Sequence, residues 1–306
     1  MISYVIRRIL MLVPTLIGIT LVSFLILQLV PGDPARTIAG LEAEEEDIEA
    51  IRHQLGLDKP IIVQYGIFLK NVTKGEFGQS IRTQNDVVAE IWPRFINTLK
   101  LALASILISL FIGLIIGSVA AIRQNTIVDY TSMVFVLLGI STPTFWSGLL
   151  IILVFSVFLG WFPSGGSEGL ISLVLPAITL AAPSAAVTAR MTRSSMLEVF
   201  RQDYIRTARA KGQKESKVIY KHALKNALIP TTTIVGLQFG YLMGGAVLVE
   251  TVFTWPGLGR LIVDSIYTRD YPVVQGGVIL FAFGFVLANL VVDILYIYLD
   301  PRISYE

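Results

Sequence analysis

The stretch "ILMLVPTLIGITLVSFLILQLV", residues 9–30, runs for 22 residues without a charged side chain. At about 1.5 Å of rise per helical residue it matches the roughly 30 Å hydrocarbon core of a bilayer. Five further predominantly apolar stretches follow at 99–121, 132–160, 171–191, 230–252 and 273–298. Repeated runs of this length make the bilayer the solvent and predict an all-α integral membrane protein with six transmembrane helices. Composition agrees: 54% of residues are hydrophobic and only 15% charged, whereas soluble domains sit nearer a quarter charged. The first stretch follows Arg7 and Arg8 as a signal peptide would. It is too long for a signal core and lacks a small-residue cleavage site, so it reads as an uncleaved first span. The third stretch is long enough to tilt or to include an interfacial segment.

Charge is distributed unevenly between the spans. Residues 31–97 form a polar insert with seven cations and eleven acids, a net charge of −4. Within it "LEAEEEDIEAIRHQLG" predicts a surface helix ending at Gly56, and "YGIFLKNV" a short amphipathic one. Loop 162–170 has no cation, and loop 253–272 balances Arg260 and Arg269 against Asp264 and Asp270. The segment from Arg190 to Ile229 instead holds ten cations and three acids. Positively charged short loops stay in the cytoplasm, so this loop and both termini are expected inside, with the insert outside. The expected division is 1–30 for the first span, 31–97 for the insert, and 98–306 for a five-span core containing the cytoplasmic loop 192–229.

That basic loop has an internal pattern. Met196, Leu197, Phe200, Tyr204 and Ala208 recur at helical spacing, and Gly212 is placed to stop that helix. Tyr220, Ala223, Leu224, Ala227 and Leu228 repeat the spacing on a second helix before Pro230. Three readings fit: a basic face for anionic lipid, a DNA-binding helix-turn-helix, and a docking element for a cytoplasmic partner. Tethering between two spans and the lack of base-reading side chains argue against the second.

The loop resembles the coupling loop of bacterial ABC importer permeases, in the form used by dipeptide, oligopeptide, nickel and glutathione importers. The general form of that loop opens Glu-Ala-Ala, keeps a glycine, and ends Ile-x-Leu-Pro. Here Arg206, Thr207 and Ala208 hold the first three places, Gly212 is kept, and His222, Ala223, Leu224 and Lys225 stand at the end. "YIRTARAKG" and "HALKNALIP" are similar to the peptide-importer version. So are "PGDPAR", "GEFGQS", "ETVFTWPGLGRLIVDSI", "RDYPVVQG" and "NLVVDILYIYLDPRISY", in order along nearly the whole chain. The large insert resembles that of the first of two paired permeases. The resemblance implies a type I ABC importer permease fold and transport of peptides or glutathione across the cytoplasmic membrane. The alternatives are a nickel-chelate or oligosaccharide importer or, in another class, an ion-coupled carrier. It also implies as partners a second homologous permease, two ATP-binding subunits or domains, and an extracytoplasmic solute-binding protein. Thr207, Ala208, Arg209, Ala210, Lys211, Gly212, Gln213 and Lys214 would then couple this chain to the ATPases.

Other residues carry weaker signals. Gly236, Gly240 and Gly244 recur every fourth residue, as do Gly113 and Gly117. Such small-residue stripes let membrane helices approach closely, within one subunit or between two. Pro143, Pro176 and Pro183 are expected to interrupt the third and fourth spans. Breaks of that kind are tolerated in protein or beside a wet cavity. With Ser141, Thr142 and Gln238 they are candidates for the translocation path or for packing. Asp293 alone approaches the intramembrane acid an ion-coupled carrier needs. No Gly-x-x-x-x-Gly-Lys-Ser/Thr occurs, so this chain lacks a P-loop, and ATP and magnesium are expected on partner ATPases. Without cysteine, and with only His53 and His222, it offers no recognisable metal site and no catalytic constellation. No nucleic-acid partner is expected.

Overall fold

The structure is a computed structural model that describes residues 2–29, 35–36, 44–56 and 58–299. Residues 30–34, those after 299, and the side chains of Arg7, Arg8, Asp47 and Asp293 lie outside the described set. Helices dominate: α1 (Ile2–Leu29), α2 (Glu45–Leu55), α3 (Ile61–Lys74), α4 (Val87–Ile122) and α5 (Ile127–Ser141). Then come α6 (Thr144–Ile151) with a π-helical extension (Ile152–Phe158), α7 (Ile171–Phe200) and α8 (Asp203–Ala210). The three-residue α9 (Glu215–Lys217) runs through a π-helical turn (Val218–Leu224) into α10 (Lys225–Val252). Two more follow, α11 (Leu258–Tyr267) and α12 (Tyr271–Leu299). Among the described residues four helices are long and apolar enough to cross a membrane, and five if the bent α5–α6 pair counts as one span.

The elements differ from sequence expectation at four places, each for a local reason. The helix that carries the second apolar stretch begins well before residue 99, because α4 starts at Val87. The Asp86 carboxylate accepts from the N–H groups of Val88 and Ala89 at 2.8 and 3.2 Å and so caps it. The boundary drawn at 97/98 therefore falls inside a helix. The third stretch, expected to tilt or to include an interfacial segment, is bent: α5 and the α6 segment meet at 108° at Thr142–Pro143. A residue before proline is driven to extended backbone, and Thr142 sits at φ −83°, ψ 127°. Pro176 and Pro183, by contrast, do not interrupt the fourth span. Both lie inside the continuous α7, where each removes one backbone bond and tertiary packing holds the rest. Finally, α7 continues to Phe200, so the first expected loop helix is split at Arg201–Gln202, and Pro230 lies inside α10.

The contacts define two compact units. One is built on Asn97–Gly257, with α7 at its centre. The buried face of α7 is lined by Ala181, Ser184, Ala185, Thr188, Ala189 and Thr192. Small side chains there bring α4 close. A Cβ on Gly113 would come within 2.6 Å of the Thr188 Cβ, and one on Gly117 would overlap the Ala189 carbonyl. The Gly113–Gly117 stripe thus packs within the subunit. Thr179 and Thr188 satisfy their hydroxyls on carbonyls four residues back, at 2.8 Å each. Leu101, Leu175, Leu180, Leu242, Val249 and Phe253 fill the apolar core.

The other unit joins Ile6–Ile96 to Leu258–Val286. Buried Asp270 organises it by accepting from the Ser80 hydroxyl at 2.5 Å and from the Ile81 N–H at 3.1 Å. Gly276 lies against Val87 and Phe77, and Gly284 against the Phe95 ring. The acidic helix α2 ends as expected at Gly56, which takes φ +69°.

Candidate functional site

The basic segment folds into a small body with its own core. Gln202 is extended, and Asp203 opens α8 with an acid, which suits the positive end of a helix. Ile205 and Ala208 then face Val218 and Ala223, with Val199 and Phe200 packed alongside. A second cluster joins Ala121, Met196 and Ala227 and shares Val199 and Phe200. The turn is thereby connected through apolar contacts to the ends of α4 and α7 and the start of α10.

The turn itself is closed by backbone bonds from Lys211 to Thr207 (3.0 Å), Gly212 to Arg209 (2.9 Å) and Gln213 to Ala208 (3.3 Å). Gly212 adopts φ +70°, which favours glycine, and a Cβ there would meet nothing within 4 Å. Two straps hold the arms together. Arg209 donates to both Glu215 oxygens, at 2.7 and 3.2 Å, and its guanidinium sits 5.8 Å from the Phe200 ring centre. These hydrogen bonds hold the Glu215 carboxyl below its usual range. The second strap is the 2.9 Å contact between the His222 ring and the Gln213 side chain.

Of the eight expected coupling residues, Thr207, Arg209, Ala210, Lys211, Gly212 and Lys214 are exposed and Gln213 is half-buried. Ala208 is not: it is buried in the turn's own core. An inward Ala208, on the apolar face that its helical spacing predicts, and an outward Ala210 divide the labour between packing and free surface.

The other candidates scatter. Ser141, Thr142 and Pro143 form the α5–α6 break. Pro183 is half-buried in α7. Gln238 is buried and donates weakly to Thr188 Oγ1 at 3.4 Å. Its Oε1 and the buried Thr192 Oγ1 have no hydrogen-bond partner among the described residues. Gly240 is buried and Gly236 half-buried, whereas Gly244 is exposed with open space beyond it. The neighbouring Gly245 is the one that faces Leu180, at 3.3 Å.

Sequence reasoning missed two polar constructions. Asp129, 1% exposed, accepts from Arg193 Nε and Nη2 at 2.6 and 2.7 Å, and from the Asn125 N–H at 3.0 Å. This ties the α4–α5 turn to the last turns of α7. The available signal was a lone acid opening an apolar run, while Arg193 was counted only as a topology charge. The second construction surrounds Glu250, which is fully buried and accepts from the Thr98 hydroxyl at 2.5 Å. A Cβ on Gly257 would overlap its carboxylate. Asn97 donates to the Pro256 carbonyl at 3.1 Å, and the Trp255 ring donates to the Asn97 carbonyl at 3.2 Å. The segment from Glu250 to Gly257 therefore folds over the start of the apolar part of α4.

Residues 113–305 match the family described as "Binding-protein-dependent transport system inner membrane component", and residues 1–102 match its N-terminal counterpart. The chain belongs to this family. It is 46% identical to a dipeptide transport system permease protein from Alkalihalophilus pseudofirmus, with each chain covered completely. It is 48% identical to a glutathione transport system permease protein from Escherichia coli K12, again over the full length of both. Among solved structures, the methionine ABC transporter in an inward-facing form matches with TM-score 0.57 at 21% identity, over 70% of this chain and 96% of that one. An amino acid ABC transporter solved with histidines matches with TM-score 0.53 at 17% identity, over 77% and 98%. At those identities the likeness supports the fold alone. The all-α permease architecture and the peptide-class ABC permease resemblance inferred from sequence both hold.

Proposed function

We propose that this permease moves dipeptides, short oligopeptides or glutathione across the bacterial cytoplasmic membrane as one membrane subunit of an ABC importer. Full-length identity near one-half to both a dipeptide and a glutathione permease carries the reading. These relatives do not favour the nickel-chelate, oligosaccharide and ion-coupled alternatives. The basic turn around Gly212 is the surface this chain offers to a cytoplasmic motor. ATP and magnesium belong to two partner ATPase subunits or domains, a second permease completes the path, and an extracytoplasmic binding protein delivers the solute. ATP-driven closure of the ATPases displaces the turn, and the shared Val199–Phe200 packing passes that displacement to α4, α7 and α10. A switch of this kind needs contacts that differ between its two states.

The test is uptake into vesicles holding this chain, its partner permease and ATPases, with the binding protein and labelled dipeptide or glutathione on the delivery side. Import should stop when the ATPase nucleotide site is disabled and persist when the proton gradient is collapsed. Uptake by this chain alone, driven by a pH or sodium gradient, would overturn the proposal.

A further inference from the structure

Helix α3 (Ile61–Lys74) is anchored at an unexpected depth. The Tyr65 hydroxyl donates to the Ile17 carbonyl at 3.2 Å and lies 3.0 Å from Thr20 Oγ1. The Phe24 ring centre is 5.5 Å from that of Tyr65 and 5.7 Å from that of Phe68. Gln28 donates to the Gln64 side chain at 3.0 Å. All four α1 residues lie inside the apolar run 9–30. Counting back from Val30 at about 1.5 Å per residue, Phe24 is roughly 9 Å inside the run and Ile17 roughly 20 Å. Against a hydrocarbon core of about 30 Å, with its midplane at about 15 Å, Phe24 and Gln28 lie in the half where α1 ends and the Tyr65 hydroxyl reaches on to Ile17 past the midplane, so α3 packs on α1 below the membrane surface rather than above it.

The exposed side of α3 fits that depth. None of its residues is buried, and Ile61, Ile62 and Val63 are 52, 81 and 45% exposed. Exposed α1 residues Val13, Ile17, Leu21, Val22 and Leu25 form a continuous apolar surface on the same partner helix. The other end of α3 is polar, with exposed Lys70, Thr73 and Lys74. A helix that is apolar at one end and lysine-bearing at the other suits the boundary between acyl chains and headgroups.

We infer that α3 is an interfacial helix, with its Ile61–Val63 end in the acyl region and Lys70 and Lys74 at the headgroups of the leaflet where α1 ends. In the proposed orientation this is the outer leaflet. The insert is thus fastened to the bilayer at its middle instead of hanging free above it. The inference rests on α1 being a membrane span.

Because the chain has no cysteine, single nitroxide labels can be placed by Ile62→Cys, Leu21→Cys and Lys74→Cys. The full chain would be reconstituted in phosphatidylcholine–phosphatidylglycerol vesicles, and collisions measured with oxygen, which concentrates in lipid, and with a water-soluble nickel chelate. The oxygen-to-nickel collision ratio should be several-fold higher at positions 62 and 21 than at 74. Lipid-like collisions at 21 with water-like collisions at 62 would overturn the interfacial helix while leaving the span intact. Water-like collisions at both would overturn the span as well. Position 62 shielded from both reagents would replace the lipid by a protein neighbour and also reject the inference.

Discussion

Gly212 and Ala208 occupy opposite kinds of position in the basic turn, one exposed at positive φ and the other buried. Gly212 is exposed with free space where a Cβ would project, so its requirement is conformational rather than steric. At φ +70° a β-branched residue is strained, by roughly 1–2 kcal/mol, whereas asparagine tolerates the left-handed region. Gly212→Val should therefore lose ATPase copurification and uptake at equal membrane level, and Gly212→Asn should keep most of both. Normal uptake by the valine variant would remove this turn from the coupling path. Ala208→Trp tests something else, since overpacking the small core should unfold the turn. The probe of free surface is Ala210→Trp, which should block docking without lowering the yield of folded chain. The Arg209–Glu215 strap should matter little. With the Glu215 pKa depressed in the fold, its contribution is complete above the ordinary glutamate pKa of about 4.3 and is lost as pH falls below it. At an exposed pair the amount is about 0–1 kcal/mol, so docking should not vary between pH 6 and 8 on its account.

The buried Asp129–Arg193 pair is the opposite case. Removing one partner of a fully buried ion pair costs about 3–5 kcal/mol; with Asp129 buried but Arg193 26% exposed, losing the aspartate should cost less than that range. Asp129→Ala should lower the thermal midpoint in detergent markedly. Arg193→Lys should also lose ground, since lysine cannot reproduce the forked contact. A midpoint unchanged in both variants would mean the pair is dispensable.

Among elements, the two glycine stripes separate cleanly. Gly113 and Gly117 are pressed on α7, so Gly117→Ala should force α4 away from the Ala189 carbonyl and reduce the yield of folded chain. Gly244 faces open space, so Gly244→Ala should be silent for this chain's own stability. If the exposed Gly244 meets the second permease, Gly244→Leu should abolish copurification of that subunit while leaving monomer yield normal. Retained pairing would leave Gly244 facing lipid. The helices themselves were largely legible, because long apolar runs in lipid have little alternative to helix. Their breaks were less so. Pro143, Pro176 and Pro183 look alike in sequence, yet only the first coincides with a break, where Thr142 is extended. The second and third sit in a helix buried enough for neighbours to hold it straight. The early start of α4 was hidden because Asp86 caps a polar stretch that hydropathy reads as loop. The Asp129–Arg193 and Glu250–Thr98 contacts were illegible for a simpler reason. Their partners lie 64 and 152 residues apart in sequence, and no local pattern pairs them.

For the molecule as a whole, the arrangement proposed here depends on which side each polar segment faces, and charge alone makes that assignment. The basic turn carries exposed Lys211, Lys214, Lys217 and Lys221, and the insert presents exposed Glu44, Glu45, Glu46 and Glu49. Retention of positive loops follows from how spans are inserted, and negative charge contributes little, so the turn determines the orientation and the insert follows. Cysteine can be introduced singly at Glu45 and at Lys214, both solvent-exposed positions in a cysteine-free chain. In intact cells, with any outer membrane permeabilised, a membrane-impermeant thiol reagent should modify the Glu45→Cys variant within the assay time and spare Lys214→Cys. After disruption of the cytoplasmic membrane both should react. The opposite pattern would invert the topology and place the coupling turn where no cytoplasmic ATPase could reach it. Labelling at neither site before disruption would place both segments inside, leaving an odd number of crossings between α1 and the basic turn impossible and the span assignment wrong.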